Sequence, residues 1–309
     1  MSPVRPASGS RRRRPGQLPH LLGAPAVLTA LVMVGGPMVV IVLFSLLTQP
    51  ELGGGVVWEL SGEAYRRFLF DTDFLGRSEN DWSYVQVFGV SLVQAALTTL
   101  GCLLLAFPLA LWMTAQPPRR QAVLVLLVTI PFWTNLLVRT YAWMLMLSDN
   151  GLVNDVTDAV GLGRHTILNT QFASGIGLAY TFLPFMVLPI YAALERFDVR
   201  LAEAAYDLGA SRSMVLRRVV YPAARPGIVA GVFLVFVPAL GSYVQPELLG
   251  GGKSLLIGNL IAAQYGAARN WPFGSALSVL LMLAVLLGLL AVAMWSRRTG
   301  ASVRVLEDR

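Results

Sequence analysis

Long apolar runs dominate the chain, near residues 21–47, 84–114, 121–147, 172–194, 226–246 and 275–295. A helix rises about 1.5 Å per residue and needs roughly 20 apolar residues to cross the hydrocarbon layer. Every run reaches that length, so the pattern predicts an all-α membrane protein with six transmembrane helices. Prolines interrupt several runs: Pro37, Pro108, Pro131, Pro184, Pro189 and Pro238. Each would cost about 3 kcal/mol inside a soluble helix. In a polytopic bundle, neighbouring helices and waters satisfy the freed carbonyls, which predicts kinked, mutually packed spans. Gly227 and Gly231 form a G-x-x-x-G step suited to close helix approach.

Composition agrees with lipid as the solvent. Of 309 residues 55% are hydrophobic and 13% charged, against about 25% charged in ordinary soluble domains. One membrane domain is expected over 21–295, with a basic tail at 1–20 and a second tail at 296–309. The connecting segments are strongly asymmetric in Lys and Arg. Seventeen fall in the two tails, the 119–120 turn and the 195–225 segment; six fall in the alternate loops; Arg139 lies inside the third run. The positive-inside rule then places both termini in the cytoplasm, with 48–83, 148–171 and 247–274 outside. The net charge of +7 is therefore an orientation signal, and no nucleic-acid partner is expected. Arg11 to Arg14 precede an apolar stretch too long for a signal-peptide core, so the first span is read as retained. Cys102 is the single cysteine and His20 and His165 the two histidines, which excludes an intrachain disulfide and argues against a metal site.

Enzymatic motifs fail. Gly250-Gly251-Gly252-Lys253-Ser254 resembles the end of a phosphate-binding loop, but Glu247 occupies its first glycine position and an apolar span, not a strand, precedes it. H-E-x-x-H and G-x-S-x-G are absent, so the chain is read as a non-enzyme with no cofactor of its own. The informative segment is 195–222. Leu201, Ala204, Ala205 and Leu208 recur at helical spacing, Gly209 suits a left-handed C-terminal cap, and Ser211 suits the N-cap of a following helix. A short helix with a small-residue face between two spans has the form of a docking element.

Those residues resemble a known family. Glu203-Ala204-Ala205, three residues, Gly209, nine residues and Val219-Val220-Tyr221-Pro222 are similar to the E-A-A-x-x-x-G-x9-I-x-L-P motif of permease subunits of bacterial ABC importers, with Val219 for Ile and Tyr221 for Leu. The resemblance implies the type I importer permease fold, a bacterial inner-membrane location and a coupling helix in which Glu203, Ala204, Ala205 and Gly209 contact an ATPase dimer that binds the ATP. Further blocks between about 84 and 290 resemble the spermidine/putrescine permease subfamily: Ile130-Pro131-Phe132-Trp133, Val138 to Trp143, Leu183 to Pro189, Pro246 to Gly251 and Asn270 to Gly274. They imply polyamine cargo, a second permease subunit in a heterodimer and an extracytoplasmic substrate-binding protein. Permeases for iron(III) and for aminoethylphosphonate are similar too and stand as alternatives. A secondary transporter is the other class, although no inverted repeat is visible.

A polar path through lipid needs polar helix faces. Ser91, Gln94, Thr98 and Gly101 share one face of the second span, Asn135, Arg139 and Trp143 one face of the third, and Tyr243 and Glu247 sit one turn apart at the end of the fifth. Arg139 at mid-depth predicts a carboxylate partner, Glu247 or Asp149. Glu247, Asp149, Tyr243, Trp143 and Trp133 suit a polycation through carboxylate pairing and ring faces; Arg139 suits an anion.

Overall fold

A computed structural model describes residues 18–51, 53–72, 78–80, 82–252 and 255–300. The tail up to residue 17, Arg77, Lys253 and residues 301–309, all used in the charge count, lie outside the described residues. Five helices are long and apolar enough to cross a membrane, and a bent pair makes up to six. They are α1 (Leu18–Phe44), α3 (Ser83–Thr114), α7 (Gln171–Glu195), α10 (Tyr221–Gly241, preceded without interruption by residues from Arg212) and α13 (Trp271–Gly300), with α4 (Pro118–Trp133) and α5 (Leu136–Leu147) as the bent pair. Between α1 and α3 lie two antiparallel pairs, β1 (Leu47–Thr48) with β2 (Val57–Leu60) and β3 (Phe70–Thr72) with β4 (Ser78–Asn80), and the single turn α2 (Glu63–Arg66).

The packed centre is α3, α7 and α10. On α3 the buried positions are small or polar except Met113: Ser91, Gln94, Ala95, Thr98, Thr99, Cys102, Ala106 and Ala110, while Val93, Leu97, Leu100 and Leu104 are exposed. This inverts the soluble-helix pattern. Lipid is as apolar as leucine, so leucines gain little by burial, and close packing favours small side chains. The same logic acts between α7 and α10. A Cβ on Gly227 would run into the Pro189 carbonyl and stand 2.8 Å from Ala193 Cβ, and one on Gly231 would stand 2.7 Å from Met186 Sδ. Pro184 and Pro189 stay inside α7. α1 packs on α13 and carries the stacked pair Phe44–Trp271, 6.4 Å between ring centroids.

Two predicted spans are corrected. The run 121–147 is not one helix: α4 and the segment beginning at Leu136 meet at 92°. The cause is local, since Thr134 and Asn135 are both extended, Thr134 Oγ1 donates to the Pro131 carbonyl at 2.7 Å, and Asn135 Oδ1 accepts from Leu137 N at 2.8 Å to cap α5. Short polar side chains offer the backbone an alternative to the helical ladder, and here they take it. The run 226–246 ends early. α10 stops at Gly241, Ser242 is extended, and Val244–Gly250 form a separate helix, α11. The loops predicted between spans hold two further helices, α6 (Leu152–Ala159) and α12 (Ile257–Tyr265). α12 has no capping side chain of its own; its Ile257 N–H donates to Ser91 Oγ of α3 at 2.8 Å.

Candidate functional site

The segment leaving α7 is built from adjacent caps. Asp198 Oδ1 accepts from Arg200 N at 3.0 Å and starts α8 (Val199–Asp207). α8 ends in a paired cap in which Gly209 N donates to the Tyr206 carbonyl at 2.9 Å and Ala210 N to the Ala205 carbonyl at 3.0 Å. Gly209 has φ +81°, the left-handed conformation this cap requires. Ser211 Oγ accepts from Met214 N at 3.4 Å and opens α9 (Arg212–Val215), which runs through a π-helical turn at Leu216–Val220 into α10. Pro222, which has no N–H to return to the preceding turn, stands just beyond that widening. Leu201 and Leu208 of α8 are 58% and 89% exposed. Glu203 and Ala204 are exposed and Ala205 half-buried, and Ala205, Leu208, Gly209, Met214 and Arg218 border a depression of about 400 Å³. An apolar face turned outward on so short a helix is a surface shaped for contact.

A second site forms where the two broken helices meet each other and α7. Phe132, Thr134, Leu136 and Arg139 at the α4–α5 elbow, Thr181, Phe182 and Phe185 of α7, and Ser242 to Gln245 at the α10–α11 break line a cavity of about 530 Å³. Its aromatic wall is braced by the edge-to-face pair Phe132–Phe185 at 5.2 Å. Gln245 is 1% exposed and ties the break to α7: it accepts from Ser242 Oγ at 2.6 Å and donates to Thr181 Oγ1 at 3.2 Å.

The expected carboxylate partner of Arg139 is not there. Arg139 Nη1 donates to the Pro131 carbonyl at 2.7 Å, and the guanidinium lies over the Tyr180 ring at 5.9 Å. Neither Glu247 nor Asp149 forms an ion pair with it, whereas Arg164 pairs with Asp155 and Asp158. The arginine is thus a clamp across the elbow, since Pro131 stands at the end of α4, where carbonyls lose their helical donors.

Glu247 is held differently. Asn259 Nδ2 of α12 donates to Glu247 Oε2 at 2.7 Å and to the Tyr243 carbonyl at 3.1 Å. Tyr243 is the N-cap of α11 and Glu247 lies in its first turn, so both stand beyond the fifth span. Arg139 and Tyr243 come together at the cavity; the other pathway candidates do not line it. Asn135 is the cap of α5 and shares no helical face with Arg139 and Trp143. Trp143 packs edge-to-face on Tyr180 at 5.4 Å, Trp133 is 83% exposed at the elbow, and Asp149 is exposed in the turn after α5. Of the second-span face, Ser91, Gln94 and Thr98 are buried. Sequence reasoning missed Thr181, Ser242, Gln245 and Asn259. Thr134-Asn135 and Gly241-Ser242 were visible as break signals inside apolar runs.

The family model for binding-protein-dependent transport system inner membrane components matches residues 91–300. A spermidine/putrescine transport system permease protein of Salmonella typhimurium is 38% identical over 272 residues, which cover 87% of this chain and 94% of that protein. Its counterpart in Haemophilus influenzae is 44% identical over 198 residues, 63% of this chain and 69% of that protein. Among solved structures, a bacterial ABC transporter involved in the import of the acidic polysaccharide alginate superposes with a TM-score of 0.69 at 18% identity, covering 91% of this chain and 95% of that chain. At that identity the likeness is one of fold.

Proposed function

The chain belongs to the family of binding-protein-dependent transport system inner membrane components, and from that membership we propose that it is the polyamine permease subunit of an ATP-driven importer. The likeness to spermidine/putrescine permeases over 87% of the chain carries this reading. Site chemistry supports it, because Glu247 is exposed, hydrogen-bonded by a neutral amide and one helical turn from the exposed Tyr243. A multiply charged amine sheds much of its hydration in a narrow path, and carboxylates and ring faces replace part of it.

The chain carries no ATPase site of its own in this reading. ATP is bound by a separate ATPase dimer that receives α8, with Glu203, Ala204, Ala205 and Gly209 at the contact. A second permease subunit completes the path, and a soluble binding protein delivers the amine from outside. Both termini lie in the cytoplasm. Single cysteines at Ser61 and Ser302 in a Cys102-free background test that orientation: an impermeant thiol reagent on intact cells labels 61 and spares 302.

The deciding measurement is uptake of labelled spermidine and putrescine beside iron(III) and aminoethylphosphonate, with the cognate binding protein and with or without hydrolysable ATP. ATP-dependent uptake of either amine is expected. Uptake of iron or the phosphonate alone overturns the cargo, and uptake driven by an ion gradient without ATP overturns the importer mechanism.

A further inference from the structure

Asn259 is 6% exposed, and both hydrogens of its amide are committed, one to the Tyr243 carbonyl and one to Glu247 Oε2. The orientation is decided by its neighbours: turning the amide over would set Oδ1 against two acceptors. Held this way, Oδ1 is buried without a hydrogen-bond partner. A buried unsatisfied acceptor is unfavourable, so the geometry favours the Glu247 carboxylate and the backbone at the α10–α11 break over the amide's own satisfaction.

The chemical consequence lies in what an amide does to a carboxylate. Arginine or lysine in its place would hold Glu247 and cancel its charge. Asn259 holds it and leaves the charge intact, with Oε1 still available. No cation pairs with Glu247 among the described residues; Arg139, at the neighbouring cavity, is engaged by Pro131 and Tyr180. The backbone here contributes opposing partial charges, negative from the C-terminal end of α10 and positive from the N-terminus of α11, in whose first turn Glu247 lies, so neither replaces a counter-ion. A carboxylate fixed in place and left without a counter-ion is complementary to a primary ammonium, which brings one positive charge and three N–H donors.

We propose that Asn259 is a positioning residue for an ammonium subsite whose substrate-contacting groups are the Glu247 carboxylate and the Tyr243 ring, and that it favours amines by holding Glu247 without neutralising it. This rests on the polyamine reading above and adds to it a residue and a means of selection.

The test is a double-mutant cycle in the complete importer, with labelled putrescine as the probe and membrane insertion and co-purification with the ATPase as controls. Glu247→Gln, Asn259→Ala and the double variant are compared for KM and maximal rate. Asn259→Ala is expected to raise KM about tenfold, the loss of one hydrogen bond to a charged group, with the maximal rate within about twofold of wild type. In the Glu247→Gln background the same change is expected to add no more than about twofold, because the glutamine side chain still accepts a hydrogen bond but the charge that Asn259 positions is gone. An equal rise in KM in both backgrounds, or a fall in maximal rate alone, overturns the positioning role. If Asn259→Ala does not insert, Asn259→Ser, whose hydroxyl reaches one acceptor, takes its place in the same cycle. A wild type that carries no amine overturns the cargo reading and the inference together, whereas an amine-carrying wild type with an additive cycle overturns the inference alone.

Discussion

The segment around α8 and the cavity between the two broken helices are both irregular backbone flanked by long spans, yet they are irregular for opposite reasons. Around α8 every deviation is satisfied within a few residues: Asp198, Gly209 and Ser211 each serve backbone groups two to five positions away. At the cavity the breaks are held partly from a distance. Arg139 reaches back across the elbow to Pro131, Gln245 of α11 reaches Thr181 of α7, and Asn259 of α12 reaches Tyr243 and Glu247. The first region is a self-contained unit that presents an apolar face. The second is an assembled site, whose members belong to five elements. In hydrocarbon, irregular backbone persists only where protein or a lined cavity satisfies it, and the long reach of these side chains provides that.

The contrast predicts different readouts for damage in each place. Gly209→Val has the largest expected effect. Its φ of +81° costs an ordinary L-residue about 1–2 kcal/mol, and more for a β-branched one. An added Cβ meets nothing within 4 Å, so the strain comes from the backbone alone. Membrane insertion should be normal, with uptake lost and ATPase co-purification weakened, while Gly209→Asn, which tolerates this conformation, should retain both. Wild-type uptake and ATPase association in the valine variant would remove α8 from the coupling mechanism.

Arg139→Leu should act on the other region and on the other readout. It strips the Pro131 carbonyl of a charged donor and the Tyr180 ring of its cation, a net loss of about 1–3 kcal/mol. The expected outcome is a lowered midpoint in thermal unfolding of the detergent-solubilised complex and reduced uptake, with ATPase association preserved. Arg139→Lys should fall between, since lysine can reach a carbonyl but cannot stack as a planar fork. An unchanged midpoint in Arg139→Leu would show that the elbow does not depend on this clamp.

Ser91→Ala should give the smallest effect, and it probes the long-range character of the second region most directly. It removes the hydroxyl from α3 that accepts the first N–H of α12, worth about 1 kcal/mol by analogy with an N-cap. Because α12 carries Asn259, a modest rise in KM for the amine is expected, within about threefold, with no change in ATPase co-purification. A defect confined to ATPase association would contradict the separation of the two regions.

Legibility in the sequence followed the same division. The spans on α3, α7 and α13 could be read because each is a long apolar run, and the caps around α8 because capping is a short-range relation between residue type and backbone. The third span was misread because averaging over an apolar window hides two polar residues. Thr134 and Asn135 carry a helix-stop and a helix-start signal, but Leu127 to Leu137 around them read as continuous hydrocarbon. The fifth was misread likewise at Gly241 and Ser242. Arg139 was expected to seek a carboxylate because a charge in lipid needs compensation. The structure compensates it in part with a carbonyl and a ring, leaving Nε buried without a hydrogen-bond partner, and that carbonyl is released from the helical ladder because the helix has broken there.

What this sequence determined by itself is the solvent it lives in, the number of apolar runs and the local geometry of the α8 segment, since hydropathy and capping depend on residues near one another in the chain. What only the tertiary structure decided is which polar groups meet. Asn259 and Glu247 are joined across the connection between α11 and α12, Gln245 and Thr181 lie on α11 and α7, and Ser91 and Ile257 are 166 positions apart. The physical reason is that a hydrogen bond between distant residues depends on how helices pack, and in this bundle that packing is set by small residues such as Gly227, Gly231 and Ala106 fitting against a neighbouring backbone or side chain, a condition of shape that no single run of sequence expresses.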